Sequence, residues 1–456
     1  MEVVEFIKDI INDSKERYNI TDNDYSDVME YVTSLVQSVY NKDRKFVKYI
    51  CNQLFEKDFK LIDSDIVLPR GNEVISVPEN KLEDVNHLEV IRNLPQPEQR
   101  TQEWFDQRKK MLTASTCAQA LDENPYRNQS SDNLIIDKVG LGARFPDNVF
   151  VHHGKKYEQV ATMIYEHLYD VQVDEFGLIP DISQPNTNKR FLGASPDGIC
   201  TQYKLSDRTF SNKLNTMLEI KCPYSRKIKL KGKIDGEICP HYYWCQCQQQ
   251  LHCCKLDKCD FWQVTLDEYL SEEELLRDST VPEIFEEQEK PLLFNKNITQ
   301  GVIIQLKPLD DKSPMPYKCI YIYPPHLNFT LLQYRKWVTT ELTKLPYNDE
   351  FKNFRFDKLL YWKVKVAHNA CIKYDKEWFD RTLVRLRVVW EKVLYYRKNM
   401  KEAHKLKDKL FPKEAYNDAF LTLSTSESSE SSESSEEPIK VNKKTKKTNK
   451  TNKTKN

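Results

Sequence analysis

The sequence predicts an α/β fold for the central part of the chain. Helix and strand signals alternate from about residue 100 to residue 268, which is typical of α/β cores. Nearer the N-terminus, apolar residues such as Phe46, Ile50 and Leu54 recur at helical spacing and predict a helical unit. Beyond Leu423 the chain consists of Ser/Glu repeats followed by Lys/Thr/Asn repeats, a composition that cannot form a packed core.

These signals divide the chain into five segments. They are an N-terminal helical region and linker (1–95), the α/β core (96–270), an acidic insert with short strands and a helix (271–359), a closing strand and long helix of the core (360–400), and a tail (401–456) expected to be disordered from about residue 424. Later in the chain, the pattern predicts strands at 302–306, 319–323 and 361–373 and helices at 331–342 and 376–398.

The composition excludes several classes of protein. The chain has 456 residues but only 10 glycines, and it contains neither of the G-x-G-x-x-G and G-x-x-x-x-G-K-[ST] phosphate-binding loops. Basic and acidic residues number 69 each, so the protein is not basic overall, and any contact with nucleic acid must be local. No apolar run reaches the roughly 18 residues of a membrane span. Irregularly spaced cysteines without an export signal predict an intracellular, soluble protein with no membrane partner.

Three charged residues in two segments carry the strongest chemical signal. Glu219 and Lys221 lie in the segment Leu-Glu-Ile-Lys, and they project from one face of the predicted strand because strand side chains alternate. Asp197, in the turn sequence Ser-Pro-Asp-Gly, adds a second carboxylate. Such a site suits Mg²⁺ or Mn²⁺, and Lys221 would hold or deprotonate the water that attacks a phosphodiester. An ordinary ion pair is the alternative, because Glu-x-Lys is frequent in a chain with 30% charged residues.

Three further segments offer residues to the same site. Glu158, in the sequence Gly-Lys-Lys-Tyr-Glu, is expected in the first turn of an amphipathic helix as a third carboxylate. Tyr243 and Gln246 lie three residues apart on one face of another predicted helix, where they could orient water and phosphate. Arg108 and Ser115 lie near a predicted helix start, a combination that suits a terminal phosphate. Taken singly, each also fits a surface acid, a solvated helix face or a surface ion pair.

In this order the motifs resemble the lambda-type exonuclease, or YqaJ-like viral recombinase, branch of the PD-(D/E)XK nuclease superfamily. The motifs are W-x3-R-x4-T-A-S (104–115), G-K-x-Y-E (154–158), S-P-D-G (195–198), E-I-K-C-P (219–223) and Y-x2-Q-x-Q (243–248). The resemblance covers about residues 100–270, with a looser match to the closing strand and helix at 361–398. It implies a restriction-endonuclease-like core, with a central mixed β-sheet flanked by helices, and it points to a protein of a large DNA virus.

The resemblance also implies a role for each matching residue. The implied metal ligands, for two Mg²⁺ or Mn²⁺ ions, are Glu158, Asp197, Glu219 and the carbonyl of Ile220. Lys221 would be the catalytic lysine, and Gln246 and Tyr243 would face the scissile phosphate. The implied 5′-phosphate pocket consists of Arg108, Ser115 and Ser195.

The reaction implied by the resemblance is hydrolysis of linear double-stranded DNA from the 5′ end, which leaves 3′ overhangs for recombination. The expected partners are double-stranded DNA ends and a single-strand annealing protein, and homo-oligomers are also expected. Two alternatives stay open. One is a structure-specific endonuclease of the same superfamily, and the other is a non-catalytic DNA-end-binding protein.

Two features near these motifs have competing interpretations. Six cysteines lie between residues 239 and 259, but their spacing lacks the paired C-x2-C knuckles of a zinc site, so core packing is favoured over a metal cluster. The basic stretch 221–233, which includes Arg226 and Lys227, leaves the predicted active-site strand. It would contact DNA phosphates or form a solvated loop.

Overall fold

The computed structural model describes residues 77–126, 130–142, 148–278, 294–295, 298–310, 318–327 and 331–412. The predicted helices of residues 32–54 and the predicted disorder from about residue 424 lie outside these ranges. Within the described ranges, every helix is too short or too polar to cross a membrane.

Helices and strands alternate through the described part of the chain. The helices are α1 (Leu82–Arg92), α2 (Gln102–Lys109), α3 (Cys117–Ala120), α4 (Ser131–Val139), α5 (Val149–Tyr169), α6 (His241–Cys254), α7 (Glu272–Asp278), α8 (Leu331–Lys344), α9 (Lys376–Lys398) and α10 (Met400–Leu410). The strands are β1 (Leu112–Thr113), β2 (Val173–Asp174), β3 (Ile179–Pro180), β4 (Leu192–Ala194), β5 (Gly198–Cys200), β6 (Met217–Lys221), β7 (Lys258–Tyr269), β8 (Phe294–Asn295), β9 (Ile298–Pro308), β10 (Ile320–Ile322) and β11 (Phe354–Lys373).

The main sheet is mixed. Its strand order is β10-β9-β11-β7-β6-β5-β2, and β8 pairs with β9. Strand β6 runs parallel to β7, with Glu219 opposite Phe261 and Lys221 opposite Gln263, whereas β5 runs antiparallel to β6. A second sheet has the order β1-β4-β3, with β1 and β4 parallel. The predicted α/β fold with a mixed sheet flanked by helices is therefore confirmed.

Helices cover both faces of the main sheet, and β6 separates two hydrophobic clusters. Leu218 and Ile220 pack in one cluster with the α5 residues Tyr157 and Val160. Met217 belongs to the other cluster, which contains buried residues of α6 and α9. Because side chains alternate along a strand, Glu219 and Lys221 share the face of Met217 and point toward the α6 side.

Several element boundaries differ from the prediction. Helix α5 begins at Val149, because the Asn148 side chain accepts a hydrogen bond from the backbone N–H of Val151 (3.0 Å) and caps the helix. Glu158 therefore lies in the interior of α5 and not in its first turn. Strand β11 begins at Phe354, and its 20 residues pair with β9 along one edge and with β7 along the other, with one register shift in each pairing.

Elements of the predicted insert and of the predicted tail connect directly to the core. Strands β9 and β10 of the predicted insert extend the same sheet as β6 and β7. Helix α10 occupies the start of the predicted tail and begins directly after α9. Charge and composition do not reveal which strands pair in a sheet, because the pairing strands are distant in the sequence. A segment boundary inferred from them can therefore divide one sheet.

Candidate active site

Strand β6 brings an acid and a base into the interior of the protein. Glu219 is 0% exposed. Its Oε1 accepts hydrogen bonds from Lys221 Nζ and from Gln246 Nε2, the latter at 2.6 Å. Lys221 Nζ also donates to the carbonyl oxygen of Ile220 (3.0 Å) and lies 4.8 Å from the centre of the Tyr243 ring. The sequence-predicted residues of β6 and α6 are thus in direct contact.

Asp197 reaches this cluster from the turn between β4 and β5. Its Oδ2 accepts a hydrogen bond from the backbone N–H of Ile220 (2.6 Å), which fixes the carboxylate beside β6. The turn needs glycine where β5 begins. A Cβ on Gly198 would lie 2.3 Å from Cγ1 of Val173 in the neighbouring strand.

Glu158 supplies the third carboxylate, from α5. Both of its oxygens accept hydrogen bonds from Arg100, at 3.2 Å and 3.0 Å. The Arg100 side chain is 52% exposed and that of Glu158 is 37% exposed, so this pair lies at the open side of the cluster. Arg100 lies outside the motifs of the predicted site, and no sequence pattern predicted its contact with Glu158.

Helix α6 holds Glu219 from both sides. Gln246 binds Oε1, and Gln250 Nε2 donates to Oε2 at 2.8 Å. Gln250 also lies 3.4 Å from the carbonyl oxygen of Ser195. The motif Y-x2-Q-x-Q contains Gln246 and Gln248. However, Gln248 points away from Glu219 and donates to the carbonyl oxygen of Lys373 (2.9 Å). Helical spacing identifies Gln250, because residues four apart lie on one helix face.

Burial, and to a smaller extent neighbouring carboxylates, raise the pKa values of Asp197 and Glu158. Burial and the Glu219 carboxylate raise the pKa of Asp197 well above its usual value, against the opposing effect of Lys221. Burial also raises the pKa of Glu158, although Arg100 and Lys221 oppose it. For Lys221, burial lowers the pKa, but the nearby Glu219 and Asp197 outweigh it and raise the pKa well above its usual value. Positive charge is thus favoured among these acids.

The donor set fits a divalent cation. Three carboxylates and the Ile220 carbonyl are oxygen ligands, which Mg²⁺ and Mn²⁺ prefer. Burial is the largest cause of the raised pKa values of Asp197 and Glu158, and the Glu219 carboxylate adds to both. A divalent cation would stabilise these carboxylates in the charged form, and the neutral amides of Gln246 and Gln250 add no positive charge to that of Lys221.

A second polar cluster lies next to the carboxylates. Arg108, at the end of α2, donates to Ser115 Oγ (3.0 Å) and lies 4.2 Å from the centre of the Trp104 ring. Trp104 Nε1 in turn donates to Ser195 Oγ (3.1 Å). Burial lowers the pKa of Arg108 to about 10. Arg108, Ser115 and Ser195 are thus linked through Trp104, and Ser195 lies two residues from Asp197.

Comparison with known proteins identifies the central part of the chain. Residues 103–257 match the family described as the YqaJ-like viral recombinase domain. This match covers less than half of the chain. Its limits enclose the carboxylates, Lys221, the α6 residues and the Arg108 cluster, whereas Arg100 lies just outside them.

An uncharacterized protein of Acanthamoeba polyphaga mimivirus is 38% identical over 326 residues, which is 70% of this chain. The matched part corresponds to 56% of the viral protein, so the chain spans little more than half of that relative. This similarity agrees with an origin in a large DNA virus. Two crystal structures of an alkaline exonuclease from Laribacter hongkongensis, one with dAMP, are also similar. Each is 16% identical, with TM-scores of 0.33 and 0.34, and covers 67% of this chain and 100% of the exonuclease.

The basic stretch after β6 borders the YqaJ-like carboxylate cluster. Arg226 donates to Gln263 Oε1 (2.9 Å), and Gln263 lies opposite Lys221 in the sheet. Lys227 is exposed. The stretch is thus anchored at Arg226 and open to solvent at Lys227.

The cysteine-rich segment 239–259 is buried. The cysteines at 0% exposure are Cys239, Cys245, Cys247, Cys253, Cys254 and Cys259. All of them belong to the hydrophobic cluster on the α6 side of the sheet. Their burial agrees with the prediction that these cysteines pack in the core.

Proposed function

We propose that this protein is a metal-dependent DNA nuclease. The observation that carries the proposal is the convergence of three carboxylates and one lysine, supplied by α5, the β4–β5 turn and β6, beside a pocket that contains an arginine and two hydroxyls. A divalent cation bound there would supply Lewis-acid stabilisation of the phosphodiester oxygens. The ligands would be Glu158, Asp197, Glu219 and the carbonyl of Ile220, with Mg²⁺ or Mn²⁺ as the ion and two ions per site.

The chain's own residues would divide the remaining work. Gln246 and Gln250 hold the two oxygens of Glu219 in fixed positions. Lys221, cationic beside Glu219, would hold the attacking water or the scissile phosphate by hydrogen bonding and charge. Tyr243, whose ring lies beside the Lys221 ammonium, limits the positions that this ammonium can adopt.

The Arg108 cluster supports end recognition. A guanidinium and hydroxyl groups form the charge-assisted hydrogen bonds that a terminal phosphate accepts, and Ser195 joins this cluster to the carboxylate centre. We therefore propose a 5′-to-3′ exonuclease on linear double-stranded DNA, which leaves 3′ overhangs. Arg226 and Lys227 would contact backbone phosphates. The proposal extends to recombination with a single-strand annealing protein and to a homo-oligomeric assembly.

Three DNA substrates test the proposal. The protein is incubated with Mg²⁺ and a linear 5′-phosphorylated duplex, a covalently closed circle or a branched DNA. Progressive loss of the linear duplex alone supports the exonuclease. Cutting of the circle or the branch would indicate a structure-specific endonuclease, and binding without hydrolysis would exclude both enzymes in favour of an end-binding protein.

Two variants locate the centre. Glu219→Ala and Lys221→Ala should abolish hydrolysis while circular dichroism shows a folded protein. Near wild-type hydrolysis by either variant would show that the centre lies elsewhere.

A further inference from the structure

A second cluster of metal-ligating groups lies at the start of α6, away from the three carboxylates. It consists of Glu123, His241 and Cys245, whose ligand atoms all lie within 4.8 Å of one another. His241 and Cys245 are four residues apart and therefore share one face of α6. Glu123 follows α3, where its backbone N–H donates to the carbonyl oxygen of Ala118 (2.9 Å) and fixes its position.

Two ligand atoms converge on a single ring nitrogen. His241 Nε2 lies 3.1 Å from Glu123 Oε2 and 3.4 Å from Cys245 Sγ. A ring nitrogen carries at most one hydrogen, which the two atoms can share in a three-centre hydrogen bond. The same convergence of nitrogen, oxygen and sulfur on one point also suits a single ion held between the three atoms.

Two of the three separations between the ligand atoms are close to those of tetrahedral coordination. Zinc binds His nitrogen at about 2.0–2.1 Å, carboxylate oxygen at about 2.0–2.2 Å and Cys sulfur at about 2.3 Å. At tetrahedral angles these bonds place nitrogen about 3.4 Å from oxygen and about 3.6 Å from sulfur. The observed 3.1 Å and 3.4 Å are each shorter by only a few tenths of an ångström.

The groups around the three ligands have the arrangement of supporting residues at metal sites. Asp235 Oδ1 lies 2.8 Å from His241 Nδ1, so the other ring nitrogen, Nε2, is directed at the cluster. Arg385 NH1 donates to Glu123 Oε1 (2.7 Å), and this contact leaves Oε2 facing His241. His241 is 36% exposed and Glu123 is 30% exposed, so an ion has access from solvent.

We propose that Glu123, His241 and Cys245 bind one Zn²⁺ ion, with a water molecule as the fourth ligand. Binding releases the thiol proton of Cys245 and any proton on His241 Nε2 to solvent. The ion joins the first turns of α6 to the end of α3. Because α6 also carries Gln246 and Gln250, the ion fixes the helix that holds Glu219. The site is separate from the proposed nuclease centre and stands without it.

Cobalt spectroscopy on the full chain tests the proposal. One equivalent of Co²⁺ added to chelator-treated protein should give tetrahedral d–d bands and a thiolate-to-cobalt charge-transfer band, and Zn²⁺ should remove both. Cys245→Ser should lose the charge-transfer band. Cys254→Ser is the matched control, since Cys254 is equally buried on the same helix, and it should keep the band.

Metal affinity and thermal stability test the zinc site further. His241→Ala, at a partly exposed position, should weaken Co²⁺ binding at this site at least tenfold even if Cys245→Ser does not fold. Zn²⁺ should raise the Tm of the wild type by more than that of His241→Ala, in which only the carboxylate centre is left to bind it. Absence of a thiolate band in the wild type, or wild-type Co²⁺ affinity in His241→Ala, would overturn the proposal. Since no readout depends on hydrolysis, failure of the nuclease proposal leaves this test intact.

Discussion

Gln250 is expected to position Glu219, although it lies outside the motif Y-x2-Q-x-Q. Glu219 is 0% exposed, and Gln250 supplies the hydrogen bond to its Oε2. A Gln250→Ala substitution leaves that oxygen without this donor inside the protein. Hydrogen bonds to charged groups contribute about 1.5–3 kcal/mol. At about 2 °C per kcal/mol for a chain of this size, Tm should fall by about 3–6 °C.

The effect on activity should be larger than the stability loss suggests. Residues that orient a metal ligand typically contribute about 10–100-fold to metal affinity or activity. Gln250→Ala should therefore need more Mg²⁺ for half-maximal hydrolysis of the linear 5′-phosphorylated duplex, with activity at a fixed, limiting Mg²⁺ concentration reduced about 10–100-fold. The measurement is a Mg²⁺ titration of hydrolysis at a temperature well below the Tm of the variant.

Gln248→Ala provides the matched control. Gln248 is equally buried on the same helix, but its amide binds the carbonyl oxygen of Lys373 (2.9 Å) and the backbone N–H of Asp375 (2.7 Å). This variant should lose comparable stability and keep the wild-type Mg²⁺ requirement. If both variants show the same Mg²⁺ titration, Gln250 acts only through folding and does not position Glu219.

Three further changes have defined outcomes. Arg108→Ala should lower the ratio of the rates on 5′-phosphorylated and 5′-hydroxyl duplexes about tenfold or more, because charge-assisted hydrogen bonds are lost. An unchanged rate ratio would show that the phosphate binds elsewhere. Arg100→Ala should lower the Mg²⁺ requirement about 2–5-fold, because a half-exposed pair with Glu158 contributes only about 0.2–1 kcal/mol; a higher requirement in the same titration would contradict competition with the cation. Gly198→Ala should destabilise the protein by about 1–3 kcal/mol in urea unfolding, because its Cβ would overlap Val173, and full stability would show that the turn can move.

Strand periodicity predicted correctly which side chains of β6 lie together. The alternation in β6 placed Glu219 and Lys221 on one face because that rule depends only on local backbone geometry. The start of α5 was less predictable, because the cap is Asn148, ten residues before Glu158 and outside the motif. Arg100 carried no signal at all. Its contact with Glu158 depends on how the segment before α2 packs against α5, which no local pattern in a single sequence encodes.

The choice of amides on α6 follows from the burial of Glu219. A carboxylate at 0% exposure needs hydrogen-bond donors, and cationic donors on every side would neutralise the charge that attracts a divalent cation. Glutamine donates without charge. Gln249 is a second uncharged donor on α6, and it donates to the carbonyl oxygens of Leu112 (2.9 Å) and Gly193 (3.3 Å). One helix thus contacts strands β1 and β4, beside the Arg108 cluster, and the carboxylate of Glu219, and its amides add no charge to either place.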